Sequence, residues 1–227
     1  MKRLINELNQ RCNEDLSDKD LIDMLTHLVN NDEIYEYIKS LLDKSTLNIN
    51  GYEHQIGFYK FVISEIGGKC PRRVRLHFWK YGEVQEDVHD HIASFSSRVL
   101  HGTILSKNFI LNDDGERYFH KNFAAVGHNC KPYVQNLEAT NLSQAGEFQI
   151  NSNEVYYVNF DDLHCIEPLS EYAITLVLQN SPNERNINVY SRQSHTGDSS
   201  RTAKNLDSAT MSRVLEKICF LLGKEKC

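Results

Sequence analysis

Residues 88–102 read V-H-D-H-I-A-S-F-S-S-R-V-L-H-G, and this stretch decides the fold. Side chains on an extended strand alternate between two faces, so His89 and His91 project from one face, close enough to share a metal ion. A third histidine, His164 in D-D-L-H, follows a second β-rich run at 154–160 and can close the site from a neighbouring strand. Keeping parity from His91 puts Phe95, Ser97, Val99 and His101 on the same nominal face and turns Arg98 away. His101 then lies about 20 Å beyond Phe95 along a straight strand, too far for the same ion, and reads as structural.

The order of these residues resembles the first motif of the cupin superfamily: a Gly, H-x-H, three or four residues, a Glu, six residues and a Gly. Gly82, His89, His91 and Gly102 follow it, with one extra residue before the first His and Phe95 where the Glu stands. His164 is similar to the lone His of the second motif, with Asn159 and Asp161 in place of its Pro and Gly and Pro168 in place of its Asn. The resemblance spans residues 59–179, and the missing Glu is more similar to the three-histidine cupins, among them the thiol (cysteine) dioxygenases. It implies a mainly β fold, a double-stranded β-helix barrel, with a metal on His89, His91 and His164. By the same resemblance an arginine inside the barrel holds a substrate carboxylate.

With 227 residues and 40% hydrophobic content, the chain can bury one full core with appendages. A formal charge of -6 gives no reason to expect nucleic acid, whose backbone selects basic surfaces. The N-terminal M-K-R-L-I-N-E-L-N-Q lacks the apolar run of a signal peptide, and no segment reaches membrane-span length, so a cytoplasmic protein is expected. The six cysteines show no C-x-x-C pair, which fits free thiols in a reducing compartment. Cys165, beside His164, faces the opposite way on a strand and reads as a buried structural thiol.

Residues 1–50 carry apolar positions at three- and four-residue steps, which predicts three short helices capping the β domain, the second opened by Ser17 and Asp20. Residues 51–195 form the predicted barrel, and 196–227 a polar loop and a C-terminal helix. In R-R-V-R-L-H-F-W-K, Val74, Leu76 and Phe78 share one face, and Arg73, Arg75, His77 and Trp79 the other. That polar face either meets solvent or lines the barrel. In the second case Arg75 and His77 enter the cavity, where a guanidinium can take a carboxylate bidentately. Asn112, Asp113, Asp114 and Gly115 predict a hairpin turn, H-N-C at 128–130 reads as an exposed loop, and 181–205 as a polar loop or lid.

Three imidazoles on one face of a six-coordinate ion leave room for a bidentate substrate and O2, which suits non-haem Fe(II); Zn, Ni, Mn and Cu also accept imidazole. The expected activity is an Fe(II) dioxygenase that needs no organic cosubstrate and acts on a small carboxylate-bearing molecule. Arg75, His77, Phe95 and Tyr157 are the expected substrate-side residues. A non-redox metal cupin, an isomerase or lyase, and a non-catalytic ligand-binding barrel are the alternatives. No nucleic-acid or membrane partner is expected, and the barrel edge and terminal helices leave room for a homodimer.

Overall fold

A computed structural model describes residues 1–43, 49–54, 57–68, 71–83, 86–124, 134–193 and 204–224. The N-terminal periodicity becomes three helices, α1 (Lys2–Gln10), α2 (Asp18–Leu28) and α3 (Asn31–Leu42). Ser17 and Asp20 open α2 with a reciprocal capping box in which each side chain accepts the other's backbone N–H. Asn30 caps α3 through the amide of Asp32. A last helix, α4 (Ser208–Lys224), follows the strands. None of the described helices is long and apolar enough to cross a membrane.

The strands are β1 (Asn50–Glu53), β2 (Tyr59–Ile66), β3 (Arg72–Lys80), β4 (Val88–His89), β5 (Phe95–His101), β6 (Thr103–Ala124), β7 (Val134–Asn151), β8 (Val155–Val158), β9 (Leu163–Pro168), β10 (Tyr172–Gln179), β11 (Asn186–Ser191) and β12 (Lys204–Asn205). One sheet runs β12-β1-β2-β3-β10-β5-β8 and the other β11-β4-β9-β6-β7, with β11 also pairing β6. Within β3 to β10 the antiparallel pairs are β3 with β10, β4 with β9, β5 with β8 and β6 with β7. This is one long hairpin wound into two facing sheets, the cupin-like double-stranded β-helix. Gly102 makes the turn from β5 into β6 with φ +77°, and a Cβ there would sit 2.3 Å from the carbonyl oxygen of Tyr172.

Alternation then sorts the side chains. On the outer face of the first sheet Phe61, Val74, Leu76, Phe78, Leu100, Ile174, Leu176 and Leu178 are buried in one cluster with Leu4, Leu8, Leu21, Leu25, Ile34 and Ile38 of the N-terminal helices. Leu215 and Ile218 of α4 join the same cluster. Each such buried side chain contributes about 1.5–3 kcal/mol, so the helices are the second layer of the fold. Arg98 joins the layers by donating to the free carbonyls of Leu25, Thr26 and Val29 at the end of α2.

Two local expectations need correction. Asn112 to Gly115 do not turn a hairpin: β6 runs through them, and Leu111 and Glu116 both face Leu142 of β7. The four residues loop out because both flanks stay in register with the same partner strand, and the Asn112 side chain accepts the Asp114 amide in a local turn. The polar stretch at 181–205 contains β11, whose Ile187 and Val189, on either side of Asn188, line the cavity. The H-N-C trio and residues 194–203 lie outside the described residues.

Candidate metal and substrate site

In the register of β4 with β9, His89 stands directly opposite His164. β4 ends at His89, so His91 is held beyond the strand by its own amide, which donates to the Phe160 carbonyl. Between the two, Asp90 is 2% exposed. Its carboxylate accepts from Arg185, from the Asn188 amide and from the Asn188 side chain, which fixes the backbone that aims both histidines. The ring centroids of His89 and His91 are 4.6 Å apart, those of His89 and His164 5.2 Å, and those of His91 and His164 5.0 Å.

One ring nitrogen from each of the three lies within 4.8 Å of the others, and Nε2 of His91 is 2.8 Å from Nε2 of His164. Imidazole nitrogens that share a transition metal at about 2.0–2.1 Å stand roughly 3–4 Å apart, so this donor set fits such an ion. Nδ1 of His89 donates to the carbonyl of Asp87 at 2.9 Å, which leaves its Nε2 lone pair for a ligand. Burial first, and then the neighbouring His89, hold His91 and His164 well below the ordinary histidine pKa. Both are therefore neutral, as metal ligands must be.

The histidines line a cavity of about 410 Å³, within the usual range for small-molecule sites. The inner faces of β3 and β10 bring Arg75, His77, Val177 and Gln179 to its wall, beside Phe58, Trp79 and Lys60. The polar face of β3 thus lines the barrel. Trp79 donates its indole N–H to Thr175 and stacks on Phe58 at 4.1 Å. Burial lowers the Arg75 guanidinium to about 10, still cationic at neutral pH. Phe95 reaches the cavity, its ring 4.9 Å from that of His91 and 6.1 Å from that of His164.

Tyr157 is the misplaced member of the expected set. It lies opposite Ser96 on the outer face, and its hydroxyl donates to Asp18 at the start of α2. Its neighbour Tyr156, opposite Ser97, lines the cavity instead, with burial pushing its hydroxyl well above the ordinary tyrosine value. The run V-Y-Y-V is apolar on both faces, so alternation gives no sign of which tyrosine points inward. His101 and Cys165 stay out of the cavity lining, and Cys165 packs beside Val88, Tyr118 and Leu142.

Glu86, Lys60 and Lys121 also line the cavity, and the sequence reading missed all three. One oxygen of Glu86 is 3.9 Å from Nε2 of His89, and the other accepts the Ile166 amide. Burial raises the Glu86 carboxyl above its ordinary value, while His89 and the Ile166 amide pull it part of the way back. Glu86 precedes β4, and a bulge between Val62 and Ser64 breaks the alternation downstream of Lys60. The only signal for Glu86 was its place three residues before a ligand, and for Lys60 its register opposite His77.

No protein-family model matches the chain, and no curated protein matches its sequence. Among solved structures, the Drosophila melanogaster CENP-C cupin domain is similar at 7% identity, covering 67% of this chain and 99% of that one, with a TM-score of 0.37. A Bacillus subtilis oxalate decarboxylase variant is similar at 16% identity and a TM-score of 0.33, over 64% of this chain and 30% of that one. A DMSP lyase structure is similar at 15% identity and a TM-score of 0.32, over 79% of this chain and 72% of that one.

Proposed function

We propose that the chain is a metal-dependent cupin enzyme, an Fe(II) dioxygenase that acts on a small carboxylate-bearing molecule without an organic cosubstrate. The observation that carries this reading is the group of three imidazoles, His89, His91 and His164, on the wall of a 410 Å³ cavity. An Fe(II) ion held by these three would supply open positions for substrate and O2 together and the redox chemistry that joins them.

The chain's own residues bind, orient and exclude water. Arg75 offers a buried guanidinium to a substrate carboxylate, in a wall where water does not compete. Phe95 and Val177 keep the space beside the histidines apolar. Tyr156 presents a hydroxyl from β8, and Asp90 holds the histidine pair in place.

A second reading, a non-redox lyase or isomerase, is favoured by Glu86. A carboxyl 3.9 Å from Nε2 of His89, with its pKa raised by burial, can take or give a proton at substrate carbon or oxygen. Metal analysis of protein purified without a nickel column, with an oxygen electrode, separates the two. Iron with O2 uptake supports the dioxygenase; zinc or manganese without uptake supports the lyase or isomerase. Protein that takes up no transition metal overturns both.

A further inference from the structure

The wall opposite the histidines carries buried polar nitrogens that the described residues leave without a partner. Nε of Arg75, Nε2 of His77, Nδ1 of His54 and Nε2 of Gln179 are all buried, and none has a partner among the described residues. Lys60 sits beside them, opposite His77 in the register of β2 with β3, and Arg75 lies two residues farther along β3. The contacts of the Lys60 ammonium are aromatic faces, 5.5 Å to the centre of Phe58 and 5.9 Å to Tyr52. The Arg75 guanidinium, the Lys60 amine, which is cationic when an anion lies beside it, and three neutral groups able to donate thus converge on one side of one cavity.

Leaving such groups buried and unmatched costs free energy, more for a charge than for a neutral donor. Two like charges held close also oppose one another, and burial and Arg75 together push the Lys60 ammonium well below its ordinary value. A single carboxylate brings one charge and matches one of the two cations. A group with charge −2 and three or more acceptor oxygens matches both, with oxygens left over for His54, His77 and Gln179.

We propose that this wall is a dianion subsite: Lys60 and Arg75 bind a doubly charged oxyanion head of the substrate, a phosphate or phosphonate or a pair of neighbouring carboxylates, while the other end of the molecule faces the histidines. The proposal rests on the reading of this cavity as the substrate site. It sharpens the substrate class from any small carboxylate to a dianionic one.

The test is calorimetric titration of inorganic phosphate, malonate and acetate into the whole chain, as purified and after removal of metal with a chelator. Phosphate or malonate is expected to bind at least about tenfold more tightly than acetate, with or without metal, because only a dianion matches both cations. Preference for phosphate identifies a tetrahedral head, and preference for malonate a carboxylate pair. Acetate binding as tightly as both dianions, or no anion binding at all, overturns the subsite. Lys60→Met and Arg75→Met should each weaken the dianion about ten- to a hundred-fold, and either one binding it like the parent overturns the assignment. Both variants remove a buried charge and should melt no lower than the parent; Lys60→Arg and Arg75→Lys, which keep the charge and the dianion preference, cover the case where a Met variant fails to fold. Metal content is measured on the same samples. Metal without anion binding refutes the subsite alone, and anion binding without metal refutes the enzyme reading alone.

Discussion

The ring of Phe95 meets the ring of His91 edge to face, with planes at 83° and centroids 4.9 Å apart. An apolar ring therefore stands beside the histidine cluster, where a carboxylate could join an ion held by His91. Phe95→Glu should retain or tighten metal, since an anionic oxygen adds a ligand, and should depress turnover by filling an open coordination position. Metal stoichiometry and activity measured side by side decide this; parental values of both would show that Phe95 does not face the ion.

His89→Ala, His91→Ala and His164→Ala should each drop metal content well below one ion per chain while the protein stays folded. Each side chain supplies a coordinate bond, and their nitrogens lie in one group within 4.8 Å. His27, exposed on α2, is the control, and His27→Ala should keep full occupancy. Full occupancy in His164→Ala would remove that residue from the centre.

His54 and His77 give the fold a pH dependence. Burial first, then the charge of Lys60, hold both imidazoles well below the ordinary histidine pKa, so the folded chain keeps them neutral. Below about pH 6.5 the unfolded chain takes protons there that the folded chain refuses. Stability is therefore fully present above that pH and is lost as pH falls from it toward the folded pKa. Melting temperatures of the parent and of His77→Gln between pH 8 and pH 5 measure this, and the parent should fall more steeply than the variant below pH 6.5. Parallel curves would count against a neutral, buried His77.

The two tyrosines of β8 should separate stability from activity. Tyr157→Phe removes one hydrogen bond to Asp18 and should cost about 0.5–1.5 kcal/mol with turnover unchanged. Tyr156→Phe touches the cavity and should change KM or kcat at little cost to folding. The reverse pattern would mean that β8 carries the opposite face inward.

Asp90 lies between His89 and His91 at the edge of the cavity and holds the pair through Arg185 and Asn188. Asp90→Asn leaves shape intact but weakens the charged bonds to Arg185 and Asn188, at a cost of about 1.5–3 kcal/mol. It should also loosen metal binding, because the backbone between His89 and His91 is what those bonds fix. Unaltered metal affinity in a destabilised variant would reduce Asp90 to a structural role.

Alternation made β3 and the helix faces legible, because there apolar and polar side chains separate onto different faces. It carried Phe95 to the right side even though residues 90–94 are not strand, and it placed Arg75 and His77 on one face of β3. It could not show that His164 would lie opposite His89, since no local pattern encodes pairing between β4 and β9. Tyr156, Lys60 and Glu86 escaped for three separate reasons: a run apolar on both faces, a bulge, and a position ahead of the strand. Asn112 to Gly115 carry turn chemistry that was spent on a bulge, because the choice between bulge and hairpin lies in what β7 pairs with.

The cluster shared by α1, α2, α3, α4 and the outer face of the first sheet has a bearing on how the chain can be cut. A fragment that starts at β1 would expose Phe61, Leu76, Ile174 and Leu178 as one contiguous apolar patch, the kind of surface that makes protein aggregate. The helices and the barrel consequently share a single cooperative transition, and calorimetry of the intact chain should show one peak rather than two. Heat that detaches α2 also withdraws the carbonyls that anchor Arg98 in β5, the strand that begins with Phe95. The three-histidine cluster and the helical layer are therefore lost at the same temperature.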